Sequence, residues 1–163
     1  MNKKIRNATV TRKGNITFKS ILEKSIYNTL LSNGFEPEYE PTTFTLIDGF
    51  VCQTPFYDKE TDAQFNKRKE KGDRSFRKLI RKRGVIQGIR YTPDFHIRYK
   101  DLDVYIEAKG FENDVFYIKK KLFLRHLDMT GANAMYFEVY SRKQMLQAIE
   151  IIKSYEPTSI CNT

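Results

Sequence analysis

Apolar residues recur at helical spacing in three stretches. In residues 17–33 the repeat is Ile21, Leu22, Ile26, Leu30 and Leu31, and Gly34 follows as a stop signal. In 113–127 it is Val115, Ile118 and Leu122 with neighbouring phenylalanines, and in 142–153 it is Met145, Leu146, Ile149 and Ile152 behind a capping Ser141. Strict apolar–polar alternation marks 91–99 and 103–109, two strands joined around Lys100, Asp101 and Leu102 as a hairpin. The run MYFEVY within 134–140 predicts another strand. Residues 35–47 read as extended, interrupted by Pro37 and Pro41. Residues 48–63 carry turn chemistry with no clear period, and 64–90 are expected to be part helix, broken by Gly84 and Gly88. Residues 1–14 are expected to form a loose basic arm. The predicted order is helix, strand, basic insertion, strand, strand, helix, strand, helix, an α/β arrangement in one domain spanning 1–163.

Charge sharpens the picture. The chain has 163 residues, 29 Lys and Arg, 20 Asp and Glu, and a formal net charge of +9. Residues 64–90 hold eleven of the cations, among them Lys67, Arg68, Arg74, Arg77, Lys78, Arg81, Lys82 and Arg83, against Glu70 and Asp73 alone. That segment therefore carries the whole +9, and the remainder sums to zero. A charge run is often a solvated face. Here Phe65, Phe76, Leu79, Ile80 and Ile86 interleave with the cations, so the segment can pack while presenting charge, which favours a phosphate-binding element. Apolar residues make up 40% and charged residues 30%, a globular balance. No apolar run reaches the ~18 residues of a membrane span, and the basic N-terminus lacks the apolar stretch of a secretory signal. Cys52 and Cys161 form neither a disulfide framework nor a metal spacing. A reducing, cytoplasmic setting is the expectation.

Candidate chemistry concentrates in YTPDFHIRYKDLDVYIEAKG, residues 91–110. Alternate strand residues share a face, so Asp94, His96 and Arg98 lie together, as do Glu107 and Lys109. A two-residue loop at Lys100 and Asp101 sets Tyr99 against Leu102 and, counting back, Asp94 against Glu107. Lys-Asp is not a favoured hairpin pair, so a slipped register stays open. Facing carboxylates repel unless a cation intervenes, and such oxygen ligands suit Mg²⁺ or Mn²⁺ better than zinc. A salt-bridged polar sheet face is the simpler alternative for Glu107 and Lys109. Glu23, three residues after Ser20, fits a capping box as well as a functional role.

Together, Glu23, Pro93-Asp94 and Glu107-Ala108-Lys109 resemble the PD-(D/E)XK nuclease superfamily. The stretches SILEKSIYNTLLSNGFEPEYEP, YTPDF and YIEAKG are similar to the phage endonuclease I type of Holliday junction resolvase and to related small phage and transposon endonucleases, over roughly residues 18–44 and 91–140. The resemblance implies a restriction-endonuclease-like αβββαβ core with a mixed sheet, to which the basic segment before the PD strand is an addition. It implies Asp94, Glu107 and the Ala108 carbonyl as metal ligands, and Glu23 as holding or orienting a second metal or its water. Lys109 would orient the attacking water and stabilise developing charge. On the following helix, Lys119 is chosen over Lys120 and Lys121 as a further DNA contact. His96 is expected near the substrate rather than on a metal, and His126 to be an ordinary helix residue. Tyr91, Tyr105 and Tyr117 are candidates for base stacking, though packing accounts for most tyrosines.

The expected function is a Mg²⁺- or Mn²⁺-dependent endodeoxyribonuclease, acting as a homodimer on branched DNA such as four-way junctions, with no membrane partner. Two alternatives remain. One is a nuclease of linear duplex or DNA ends; the other is a non-catalytic basic nucleic-acid-binding protein on the same fold.

Overall fold

The 91–109 alternation closes into a hairpin of β8 (Phe95–Tyr99) and β9 (Leu102–Ala108), turning at Lys100, whose φ of 56° accommodates the tight reversal. Phe95 pairs with Ile106, Ile97 with Val104 and Tyr99 with Leu102. The register is the one counted from a Lys100-Asp101 loop, because any one-residue slip would turn the buried Phe95, Ile97, Leu102, Val104 and Ile106 to the opposite face. The structure, a computed structural model, describes residues 9–73, 75–110 and 114–157. It is a mixed α/β arrangement with four helices among those residues.

The chain divides into two compact units, Met1–Leu46 with Arg90–Thr163, and Ile47–Ile89. In the first, β8 and β9 are the centre of a four-stranded mixed sheet. It is completed by β3 (Glu38–Tyr39), antiparallel to β8, and β10 (Ala134–Val139), parallel to β9. One sheet face packs on α1 (Ile21–Ser32) and α4 (Arg142–Lys153). Ile26 and Leu30, then Met145, Ile149 and Ile152, meet Phe95, Ile97, Val104 and Ile106 there. The other face packs on α3 (Asp114–Met129), whose Phe116, Phe123 and Leu127 cluster with Tyr91, Tyr105 and Tyr136. Two short strands, β4 (Phe44–Ile47) and β7 (Ile89–Tyr91), pair with each other.

Helix α1 begins at Ile21 behind an N-cap at Ser20, four residues later than the expected start at residue 17. Residues of the expected loose arm instead form β1 (Thr11–Lys13), paired with β2 (Ile16–Phe18), whose Phe18 is fully buried. Its end is as read: Gly34 at φ 86°, with Gly34 N–H donating to Leu31 O and Phe35 N–H to Leu30 O, makes a Schellman stop. Ser141 caps α4 by accepting from Gln144 N–H.

The second unit departs most from expectation. Residues 48–63 are largely strand β5 (Phe50–Lys59), antiparallel to β6 (Leu79–Ile86), with helix α2 (Asp62–Glu70) between them in sequence. The basic segment thus begins in a helix and ends in a strand, and the unit around it starts at Ile47 rather than at residue 64. Gly49 and Gly88 let the ribbon base close: a Cβ on Gly88 would sit 2.6 Å from Ile47 O. Glu60 is the one buried residue described in this unit, 4% exposed. Arg68 grips it through Nε at 3.2 Å and Nη2 at 2.5 Å, and Lys78 N–H donates at 2.7 Å. A polar clamp, not an apolar core, ties α2 to the ribbon. Among the described residues no helix is long and apolar enough to cross a membrane.

Candidate active site

Alternation puts Asp103, Tyr105, Glu107 and Lys109 on the α3 side of the sheet, and the β8–β9 register extends to bring Asp94 beside Glu107. Asp94 sits in a bend just before β8 and accepts from Ala108 N–H at 2.8 Å, which fixes its carboxylate against the end of β9. Glu107 is 5% exposed. Its Oε1 lies 2.5 Å from Lys109 Nζ, and its Oε2 accepts from Tyr91 Oη at 2.6 Å. Tyr136 Oη is a further 3.2 Å from that of Tyr91. Lys109 also lies over the Phe116 ring, 3.7 Å from its centre.

The electrostatics follow from this crowding. Asp94 retains some exposed area, but protein atoms enclose its carboxyl. Burial, then the charge of Glu107, push its proton affinity well above the ordinary carboxylate range, against the opposing Ala108 N–H and Lys109. Burial and the Glu107 charge likewise hold the Tyr91 hydroxyl protonated far above its usual range, so it remains a donor. Asp94 and Glu107 form a hard, oxygen-rich pair with a charge deficit, a donor set that fits a divalent cation such as Mg²⁺.

Glu23 acts on Asp94 through its charge, yet its carboxylate is engaged at the start of α1. It accepts from Ser20 Oγ at 2.8 Å, Lys19 N–H at 2.9 Å and Tyr39 Oη at 2.6 Å, while Ser20 Oγ accepts from Glu23 N–H. This is close to the capping arrangement, shifted by one residue. Among the described residues no three His, Cys, Asp or Glu side chains converge as a ready-made metal cluster. Asp94, Glu107 and Lys109 are brought together; Glu23 stands beside them. Ala108 contributes the N–H that holds Asp94.

Other candidates sort differently. His96 stacks on Tyr105 and lies between Glu38 and Asp103, Nδ1 at 3.1 Å and Nε2 at 2.9 Å, with Arg98 also on Asp103 at 2.7 Å. It ties three strands together on the sheet surface. Lys120 pairs with Glu138, the residue in register with Glu107 on β10; Lys119 is half-buried. Tyr91 and Tyr105 are packed, and His126 contacts Phe44 edge-on. In the basic segment Arg68 is engaged with Glu60 and Asp73, Arg77 with Asp62 and the Phe65 ring, and Lys78 with Asp73. Lys67 and Arg81 are exposed and Lys82 is half-buried; Arg74 and the Arg83 side chain lie outside the described residues.

Sequence reasoning missed the roles of Tyr91, Tyr39 and Glu138. Period-two alternation in 134–139 could have put Ala134, Tyr136 and Glu138 on the Glu107 face; the tyrosine contacts cross elements and leave no local signal. No family model matches the chain, and no match was found among curated proteins or solved structures.

Asp94 should be a destabilising charge when no cation is bound. Its folded proton affinity is raised, so its contribution to stability is complete below the ordinary carboxylate value of about 4 and is lost as pH rises through the folded value. Asp94→Asn, which can keep the Ala108 hydrogen bond, should therefore melt higher than the parent at pH 7 in EDTA. The gain should be about 3 °C for each kcal/mol recovered, and the difference should vanish toward pH 4. Equal melting temperatures at pH 7 would contradict the buried-charge reading.

Proposed function

We propose that the chain is a metal-dependent endodeoxyribonuclease with a restriction-endonuclease-like αβββαβ core, acting as a homodimer on branched DNA such as four-way junctions. The observation that carries the reading is Asp94 beside Glu107 with Lys109 on the same sheet face, in the PD…ExK order of the nuclease superfamily. The substrate preference rests on the similarity to phage endonuclease I. A facing carboxylate pair with one lysine beside it keeps a net negative charge that is costly to bury, and a polar sheet face alone gives no reason to bury it.

Asp94 and Glu107 would hold Mg²⁺ or Mn²⁺, with the Ala108 carbonyl as a further ligand, and Glu23 would act from beside the site. A bound ion there would lower the pKa of water and polarise a phosphoryl oxygen. Tyr91 fixes the Glu107 carboxylate by donating to Oε2, leaving Oε1 on the side of Lys109. Lys109, held by Glu107 and the Phe116 ring, presents its ammonium where negative charge develops on a phosphodiester and can orient a water molecule there.

A non-catalytic DNA-binding protein is the second reading, favoured by the basic second unit, whose exposed cations need no metal. Divalent-ion dependence separates the two. Glu107→Gln should abolish Mg²⁺-dependent cleavage across a panel of duplex, flap, fork and four-way junction DNA while leaving binding largely intact. Cleavage at the parental rate would end the assignment of catalysis to this face.

The salt dependence of binding should come from the unpaired cations, not from the block as a whole. Each neutralised phosphate contributes about 0.9 to the slope of log affinity against log salt. Replacing Lys67, Lys69 and Lys71 by Gln should flatten that slope by up to about three. Arg68→Gln should instead leave the slope near the parent's and make the second unit more sensitive to limited proteolysis, because it breaks the Glu60 clamp. A large slope change from Arg68→Gln would show that the ion pairs open on DNA.

A further inference from the structure

The β5–β6 ribbon has two unequal faces. Register sets Val51 opposite Val85, Tyr57 opposite Arg81 and Lys59 opposite Leu79. From Cys52 to Phe56 the first strand advances four residues while its partner moves two, from Gly84 to Lys82, so the irregularity adds two residues and preserves the face. All six side chains are exposed: Leu79 at 71% and Tyr57 at 56%, with Val51, Lys59, Arg81 and Val85 also open. On the other face Cys52, Phe56, Ile80, Lys82 and Ile86 are half-buried. A two-stranded ribbon with no apolar core beneath it is marginal alone, and an apolar set of this kind on its open face marks a contact surface.

The chemistry of that face selects the partner. Among its six residues are two cations and no carboxylate, and the unit 47–89 carries eleven Lys and Arg against six Asp and Glu. A second copy of the same face would set cation against cation, so self-association is disfavoured and an anionic partner favoured. The dimensions fit a DNA groove. Two strands about 4.8 Å apart, the shorter of them eight residues or roughly 27 Å long, match an element that the ~12 Å major groove admits within one helical turn of about 34 Å. Valine and leucine suit the thymine methyl, arginine the guanine edge, and tyrosine can lie against a base.

We propose that the β5–β6 ribbon enters the major groove of duplex DNA with its Val51–Tyr57–Leu79–Arg81–Val85 face against the base edges. This deepens the nuclease reading, on which it rests for its choice of DNA, by assigning base contact to the ribbon and leaving backbone contact to Lys67, Lys69 and Lys71 of the α2 region. It makes the ribbon a source of sequence or shape preference along the duplex arms.

Binding of the full chain to duplex and four-way junction DNA in EDTA tests this without recourse to cleavage. Tyr57→Ala combined with Leu79→Ala should weaken binding about tenfold with an unchanged salt slope, since no phosphate contact is lost. Methylation of guanine N7, which lies in the major groove, should interfere with parental binding over about one turn, and that interference should be lost in Arg81→Gln, which removes the guanine-edge donor. Unchanged affinity, an unchanged N7 pattern, or interference confined to phosphates would overturn the proposal. So would a shift in sedimentation of the DNA-free double variant, which would make the face a protein contact. Failure of the nuclease reading looks different: no Mg²⁺-dependent cleavage by a parent that still shows the N7 interference.

Discussion

Two carboxylates set against each other by the β8–β9 register are the constraint on which the first unit turns. Phe95 against Ile106, and Ile97 against Val104, lock that register because a slip would expose four buried side chains. Once it is locked, Asp94 and Glu107 cannot separate. Glu107 is offset by the Lys109 ammonium and the Tyr91 hydroxyl, whereas Asp94 has the Ala108 N–H and a weaker share of Lys109. The asymmetry leaves Asp94 with the charge deficit that a divalent ion would remove. Tyr91 in turn is packed on Phe123 of α3, so the helix on that face bears on the Glu107 carboxylate through packing.

The two units are stabilised by different physics. The first buries aromatic and branched side chains on both faces of its sheet. The second buries Glu60, and its clamp with Arg68 and Lys78 holds α2 to β6 while Val51, Tyr57, Leu79 and Val85 of the ribbon stay exposed. Cations that a linear reading groups together therefore divide into those that build the unit, Arg68 and Arg77, and those that face solvent, Lys67 and Arg81.

The hairpin register and the last helix were legible because alternation and a 3.6-residue repeat each coincide with burial there. Residues 50–59 concealed a strand because most of that strand is exposed on both faces, contains Pro55 and is irregular between Cys52 and Phe56, so no period survives. The β1–β2 hairpin escaped because Thr-Arg-Lys offers one apolar-facing position in three. Of the site, Asp94, Glu107 and Lys109 followed from parity and counting. Glu23 did not resolve, because capping and charge placement require the same residue at the same spacing. The donors Tyr39 and Tyr91 lie 16 residues from the carboxylates they serve, a separation on which local pattern is silent.

Binding of Mn²⁺ to the DNA-free protein, followed by the loss of free-ion electron paramagnetic resonance signal at pH 7.5, tests the proposed cation site most directly. The parent should bind with an affinity that falls at least about tenfold in Tyr91→Phe, which removes one hydrogen bond to a ligand, and is lost in Asp94→Asn and Glu107→Gln. Absence of binding by the parent, or equal binding by all four proteins, would contradict the assignment of Asp94 and Glu107 as a divalent-metal pair.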